Sequence, residues 1–148
     1  MDISVQTHNE EETMAAGRAL SSRIEPGRVI AIYGDLGTGK THFVKGFADG
    51  LGIPPEQVDS PTFTLLQEYR TPEGLMLYHF DFYRLKTKQE AVEIGTEEYF
   101  YGDGISIVEW PDRIEDLLPE EAIRIRMKLA GPNSRSISIE YPTAKAIP

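Results

Sequence analysis

The 148-residue chain contains no cysteine, which excludes both a disulfide framework and a thiolate metal centre. No apolar run is long enough to span a bilayer as a helix, so a membrane-embedded transporter or anchor of that kind is excluded too. The first residues, Met1-Asp2-Ile3-Ser4-Val5-Gln6, lack the basic-then-apolar pattern of a secretory signal, and a cytoplasmic location is the expectation. Positive charge is scarce: 15 Lys and Arg stand against 24 Asp and Glu, for a net charge of −9. The basic residues are also scattered, from Arg18 through Lys45, Arg70 and Lys88 to Arg126. A protein that grips nucleic acid unaided neutralises phosphates with clustered cations, so strong autonomous binding to RNA or DNA is not expected. The histidines His8, His42 and His79 show no metal-ligand spacing and read as structural. There are no internal repeats or low-complexity segments, and the length suits one domain with one core, with 143–148 as a loose tail.

What is present is a complete phosphate-binding loop, Gly34-Asp35-Leu36-Gly37-Thr38-Gly39-Lys40-Thr41. The apolar run Val29-Ile30-Ala31-Ile32-Tyr33 leads into it as a buried strand, and residues 42–51 leave it with helical spacing. The chemistry needs that context. Glycines let successive backbone N–H groups turn inward around a polyphosphate, and the following helix adds the positive end of its dipole. In this pattern Lys40 reaches the β and γ phosphates and the Thr41 hydroxyl is placed to bind Mg²⁺. The chain is expected to bind a nucleoside triphosphate.

Around the loop, the pattern gives a strand at 3–7, then a helix at 10–24 capped by Asn9, with Glu10, Glu11 and Glu12 complementing its dipole. Strand-like runs at 63–70 and 75–81 flank the turn Thr71-Pro72-Glu73-Gly74 and predict a hairpin. A helical stretch at 88–101 with a break near Gly95, a buried strand at 105–108 and a short helix at 114–118 follow. Alternating runs at 123–129 and 136–141 predict a second hairpin. Strands and helices alternate first and hairpins come later. The expected fold is therefore α/β, a P-loop NTPase-like three-layer α/β/α arrangement with a mixed parallel and antiparallel sheet.

Nucleotide chemistry also needs carboxylates near the metal. Asp81 and Glu109 each end an apolar strand, and if those strands run parallel to 29–33 both acids emerge at the loop's edge. One would ligate Mg²⁺ and the other orient the attacking water; with Lys40 they form the catalytic candidates. Ser60 and Thr62 occupy a loop that is either an ordinary turn or a nucleotide switch sensing γ-phosphate. Trp110 either caps the core or packs against that switch region. Arg84 and Arg135 are the spare cations near strand ends. The guanine-reading N-K-x-D pattern is absent, which disfavours a Ras-like GTPase, and no arginine-rich lid supports a small-molecule kinase. Two alternatives to an ATPase stay open: a nucleotide-gated binding module in which hydrolysis is incidental, and that kinase.

Taken in order, four segments resemble the TsaE family (also called YjeE), the ATPase subunit of the bacterial tRNA threonylcarbamoyladenosine machinery. The family pattern is G-D-L-G-x-G-K-T, S-P-T-[FY]-T-L, Y-H-[FM]-D-x-Y-R and V-E-W-P. It is met here by residues 34–41, 60–65, 78–84 and 108–111. Thr38 stands where many relatives have alanine. The resemblance implies slow hydrolysis of ATP with Mg²⁺, and two partners, TsaB and TsaD. TsaD carries the threonylcarbamoyl transfer to tRNA, so tRNA is met only through the complex. By position, the resemblance implies that Leu36, Gly37, Thr38, Gly39, Lys40 and Thr41 hold the phosphates and that Thr41 and Glu109 serve Mg²⁺. It also places Asp81 near the γ-phosphate, Trp110 beside the site, and Glu10, Thr13 and Arg135 close to the nucleotide.

Overall fold

In the computed structural model, which describes residues 2–142, the expected tail at 143–148 lies outside the described residues. The elements are strands β1 (Asp2–Thr7), β2 (Val29–Tyr33), β3 (Leu66–Arg70), β4 (Met76–Asp81), β5 (Ile105–Glu109), β6 (Ile123–Leu129) and β7 (Arg135–Glu140). The helices are α1 (Glu10–Ser21), α2 (Lys40–Gly50), α3 (Lys88–Glu93) and α4 (Thr96–Phe100), with 3-10 segments at Pro55–Gln57 and Pro111–Leu117.

All seven strands join one sheet in the order β1-β7-β6-β2-β5-β4-β3. The central strands β6, β2, β5 and β4 run parallel, while β3 closes one edge and β7 with β1 the other, all three antiparallel to their neighbours. The sheet is mixed, as the sequence predicted. Alternation along β2 explains the layers: Ile30 and Ile32 face one way, Val29 and Ala31 the other. The first face packs Leu20 of α1 and Phe43, Val44 and Phe47 of α2. The second packs Ala91, Phe100, Ile114 and Leu118. Helices thus cover both faces of the sheet. Each fully buried phenylalanine contributes about 1.5–3 kcal/mol of hydrophobic stabilisation, so α2 is fixed firmly beneath the loop that precedes it.

Several expected boundaries move. The helix expected at 10–24 ends at Ser21, followed by Ser22 as its C-cap. Asn9 caps it as expected, its side chain accepting from the Glu12 N–H at 2.8 Å. The strand expected from Phe63 starts only at Leu66. The residues before it turn instead, because the Leu65 N–H closes onto the Pro61 carbonyl at 2.7 Å with Leu65 at φ 69°. Residues 88–101 divide into α3 and α4 because Gly95 takes φ 83°, outside the helical region. The short helix at 114–118 is instead 3-10, running Pro111–Leu117, with Ile114 kinked out of helical geometry.

Candidate functional site

Strand β2 carries the chain from the middle of the sheet to its edge, where the loop 34–41 turns back into α2. The turn rests on Gly39, at φ 89°, which caps the helix with no side chain to satisfy the first amides. Those amides are the donors that a helix N-terminus offers to an anion. The carbonyl side of the loop is tied elsewhere. Arg135 of β7 donates from Nε to the Thr38 carbonyl (3.1 Å) and from Nη2 to the Gly37 carbonyl (3.0 Å). The Thr38 hydroxyl donates to the Asp35 carbonyl at 2.9 Å.

Lys40 is only 6% exposed. Its ammonium donates to the carbonyls of Gly34 and Asp35, the latter at 2.9 Å, and sits 4.2 Å from the centroid of the Trp110 ring. Burial pushes the Lys40 pKa down, and the surrounding carboxylates of Glu109, Asp81, Asp35 and Asp112 oppose that shift. Lys40 is therefore a charge partly stripped of water and facing several acids, which suits it to a multiply charged anion.

The two strand-end acids meet. Because β4 and β5 are parallel, Asp81 and Glu109 are register partners, and each is 3% exposed. Three donors hold Asp81: Oδ2 accepts from the hydroxyls of Ser60 (2.9 Å) and Thr62 (3.0 Å), and Oδ1 from the Tyr83 N–H (2.9 Å). The loop 60–65 is thereby fastened to the strand end. Glu109 faces the Thr41 hydroxyl at 3.4 Å (Oε1) and 3.5 Å (Oε2), while His79 Nε2 lies 2.6 Å from Oε2.

One cleft of about 260 Å³ gathers Leu36, Gly37, Gly39, Lys40 and Thr41 with Ser60, Thr62, Asp81, Glu109 and Trp110. A second, of about 500 Å³, adjoins it through Gly37, Gly39 and His42, and is lined by Glu10, Thr13 and Arg135. Of the loop, Leu36, Gly37, Gly39, Lys40 and Thr41 line these clefts, as do Thr62, Asp81, Glu109, Trp110, Glu10, Thr13 and Arg135, whereas Thr38 is buried within the loop. Thr13 is 2% exposed, and its hydroxyl is engaged with Thr7 at 2.9 Å.

The readings of four side chains need correction. His79 is not merely structural, since it touches a carboxylate of the site; His42 lines both clefts and lies 3.3 Å from Glu10. Arg135 is not spare but holds the loop, and Arg84 stacks on the Phe63 ring at 4.6 Å. The signal for His79 was available: it precedes Asp81 by two residues on one strand, so period-two alternation sends both to the same face. Arg135 gave no such signal, because its loop contacts span 97 and 98 residues of sequence.

Comparison with known proteins agrees with this geometry. The family described as threonylcarbamoyl adenosine biosynthesis protein TsaE matches residues 7–137. The chain is 46% identical over 134 residues to the tRNA threonylcarbamoyladenosine biosynthesis protein TsaE of Bacillus subtilis, covering 90% of this chain and 82% of the relative. It is 38% identical to the protein of that name from Treponema pallidum, covering 90% of this chain and 96% of the relative. The crystal structure of Bacillus subtilis YdiB superposes with a TM-score of 0.79 at 40% identity, covering 97% of this chain and 87% of that one. The chain belongs to the TsaE family of tRNA threonylcarbamoyladenosine biosynthesis proteins.

Proposed function

We propose that this chain is a single-domain cytoplasmic ATPase subunit that binds and hydrolyses ATP with Mg²⁺. In this reading it supports turnover of a TsaB–TsaD complex that modifies tRNA, which it meets only through those partners. The observation that carries the proposal is the convergence of the loop 34–41, Lys40, Thr41, Asp81 and Glu109 in one cleft at the end of parallel strands. The amides at the start of α2 bind phosphate oxygens, and Lys40 moves its donors from the Gly34 and Asp35 carbonyls to the anion. The donor set fits Mg²⁺. Among the described residues no three His, Asp or Glu side chains form a self-sufficient cation cage. Mg²⁺ at a phosphate takes one or two protein oxygens, and Thr41 and Glu109 would supply them. Bound there, the cation would neutralise charge developing on the transferring phosphoryl group. The larger adjoining cleft, with Glu10, Thr13 and Arg135, would receive the nucleoside.

Lys40→Ala is expected to lower ATP affinity and abolish hydrolysis, with hydrolysis falling at least ~100-fold. Calorimetry finding wild-type affinity in that variant would overturn the proposal. One observation favours the gated binding module as a second reading: Asp81 is occupied by Ser60, Thr62 and the Tyr83 amide, which makes it an anchor for the loop 60–65. Glu109→Gln separates the two. As an ATPase subunit, the variant binds ATP but does not support repeated modification in a reconstituted TsaB–TsaD system. Undiminished multiple turnover would install the gated module instead.

A further inference from the structure

We infer that His79 is a positioning residue that selects which oxygen of Glu109 is offered to the cation, and so favours Mg²⁺ over larger divalent ions. This rests on the Mg²⁺–nucleotide reading above. His79 is fully buried on β4, and its Nε2 lies 2.6 Å from Glu109 Oε2. A carboxylate only accepts, so Nε2 carries the proton. The other ring nitrogen, Nδ1, is buried and has no hydrogen-bond partner among the described residues.

That orphan nitrogen argues against a role in packing alone. The β4 and β5 positions around it, Leu77, Ile105 and Ile107, are buried and apolar, and a leucine there would carry no desolvation cost. The imidazole is worse than leucine for stability unless its Nε2–H does something that leucine cannot. What it does is visible at Glu109. Thr41 approaches the two carboxylate oxygens almost equally, at 3.4 and 3.5 Å, and selects neither. His79 bonds only Oε2 and leaves Oε1 free to be shared. A carboxylate offered through one oxygen suits Mg²⁺, whereas Ca²⁺ readily takes a carboxylate through both and tolerates irregular coordination.

The test uses the full chain and its one tryptophan, Trp110, as the fluorescent reporter. Mg²⁺ and Ca²⁺ are titrated separately against wild type, His79→Leu and His79→Gln, each holding a non-hydrolysable ATP analogue. In His79→Leu the Mg²⁺ midpoint is expected to rise roughly 10–100-fold, the usual scale for losing a ligand's orienting partner. The Ca²⁺ midpoint should move less, so the ratio of the Mg²⁺ midpoint to the Ca²⁺ midpoint rises. His79→Gln, whose amide can donate along a similar path, should recover most of the ratio. Thermal melting without ligand should show His79→Leu folded but less stable than wild type, because the buried Glu109 oxygen loses its donor. An unchanged midpoint ratio in folded His79→Leu would overturn the inference while leaving nucleotide binding intact. A wild type that never responds to the analogue would overturn both. Should His79→Leu not fold, NMR of nitrogen-labelled wild type decides. A solvent-protected proton on Nε2 supports the inference, and a proton on Nδ1 instead overturns it.

Discussion

Tyr33 is the last residue of β2 before the loop, and it titrates far from its ordinary range. Its hydroxyl donates to both oxygens of Glu115, at 2.9 and 2.7 Å, while the Arg126 guanidinium lies 4.5 Å from its ring centroid. Burial pushes the phenol pKa up to about 12, with the Glu115 hydrogen bond and charge adding to the shift and Arg124 opposing it. A pKa raised by folding means that the folded state holds the proton more tightly. The stability linked to Tyr33 is therefore fully present below the unfolded value near 10 and is lost as pH rises through about 12. Melting curves of wild type and Tyr33→Phe should accordingly converge between pH 10 and pH 12, and a gap that stays constant across that window would refute the assignment. At this scale much of the site was legible. The residues 34–41, Asp81 and Glu109 announce themselves because each stands at the end of an apolar strand that the local sequence marks. The Arg135 bonds to the loop were not legible, because they join distant segments that only the folded sheet brings together.

Helices α1 and α2 pack so closely that side chains give way to backbone. A Cβ placed on Gly46 would stand 1.9 Å from the Met14 carbonyl oxygen, and one on Gly17 would stand 2.2 Å from that of Phe43. Neither glycine is demanded by its dihedral angles; the approach of the other helix demands it. Gly46→Ala must therefore push the helices apart, at about 3 kcal/mol, the upper end of ordinary overpacking. For a chain of this size that corresponds to a fall in Tm of roughly 6–12 °C. A melting temperature within a degree or two of wild type would mean that the helices are not held at this distance. The same packing shows where elements were readable from sequence. The Asn9 cap and the apolar run of β5 carry their signals locally. The start of β3 does not, because residues 63–65 are turned by bonds that the loop makes to Pro61 and by Asp81, whose N–H donates to the Leu65 carbonyl at 3.0 Å. A run with strand propensity is there overruled by its tertiary partners.

At the scale of the whole molecule, parallel pairing and net charge act together. The parallel strands β2, β5 and β4 deliver their C-terminal ends to one edge, which is why Asp81 and Glu109 converge near Lys40 although 28 positions separate the two acids and 41 separate Lys40 from Asp81. Convergent carboxylates suit a cation and a phosphate chain, but they repel an RNA backbone that brings no cation of its own. The rest of the chain does not correct this, with a net charge of −9 and basic side chains engaged across the surface. Arg18 pairs with Glu11 and Asp49, Lys88 with Asp116, Arg124 with Glu115 and Arg126 with Glu140. Non-specific retention of nucleic acid requires released counterions, hence several cations reaching phosphates at once. The isolated chain should therefore bind tRNA more weakly than about 10⁻⁴ M at roughly 150 mM salt, the weak limit of non-specific binding. Gel-shift or filter retention with a salt-sensitive, micromolar affinity would reveal a basic face and make this chain an RNA contact in its own right. Retention seen only after TsaB and TsaD are added would assign the RNA contact to those proteins and not to this chain.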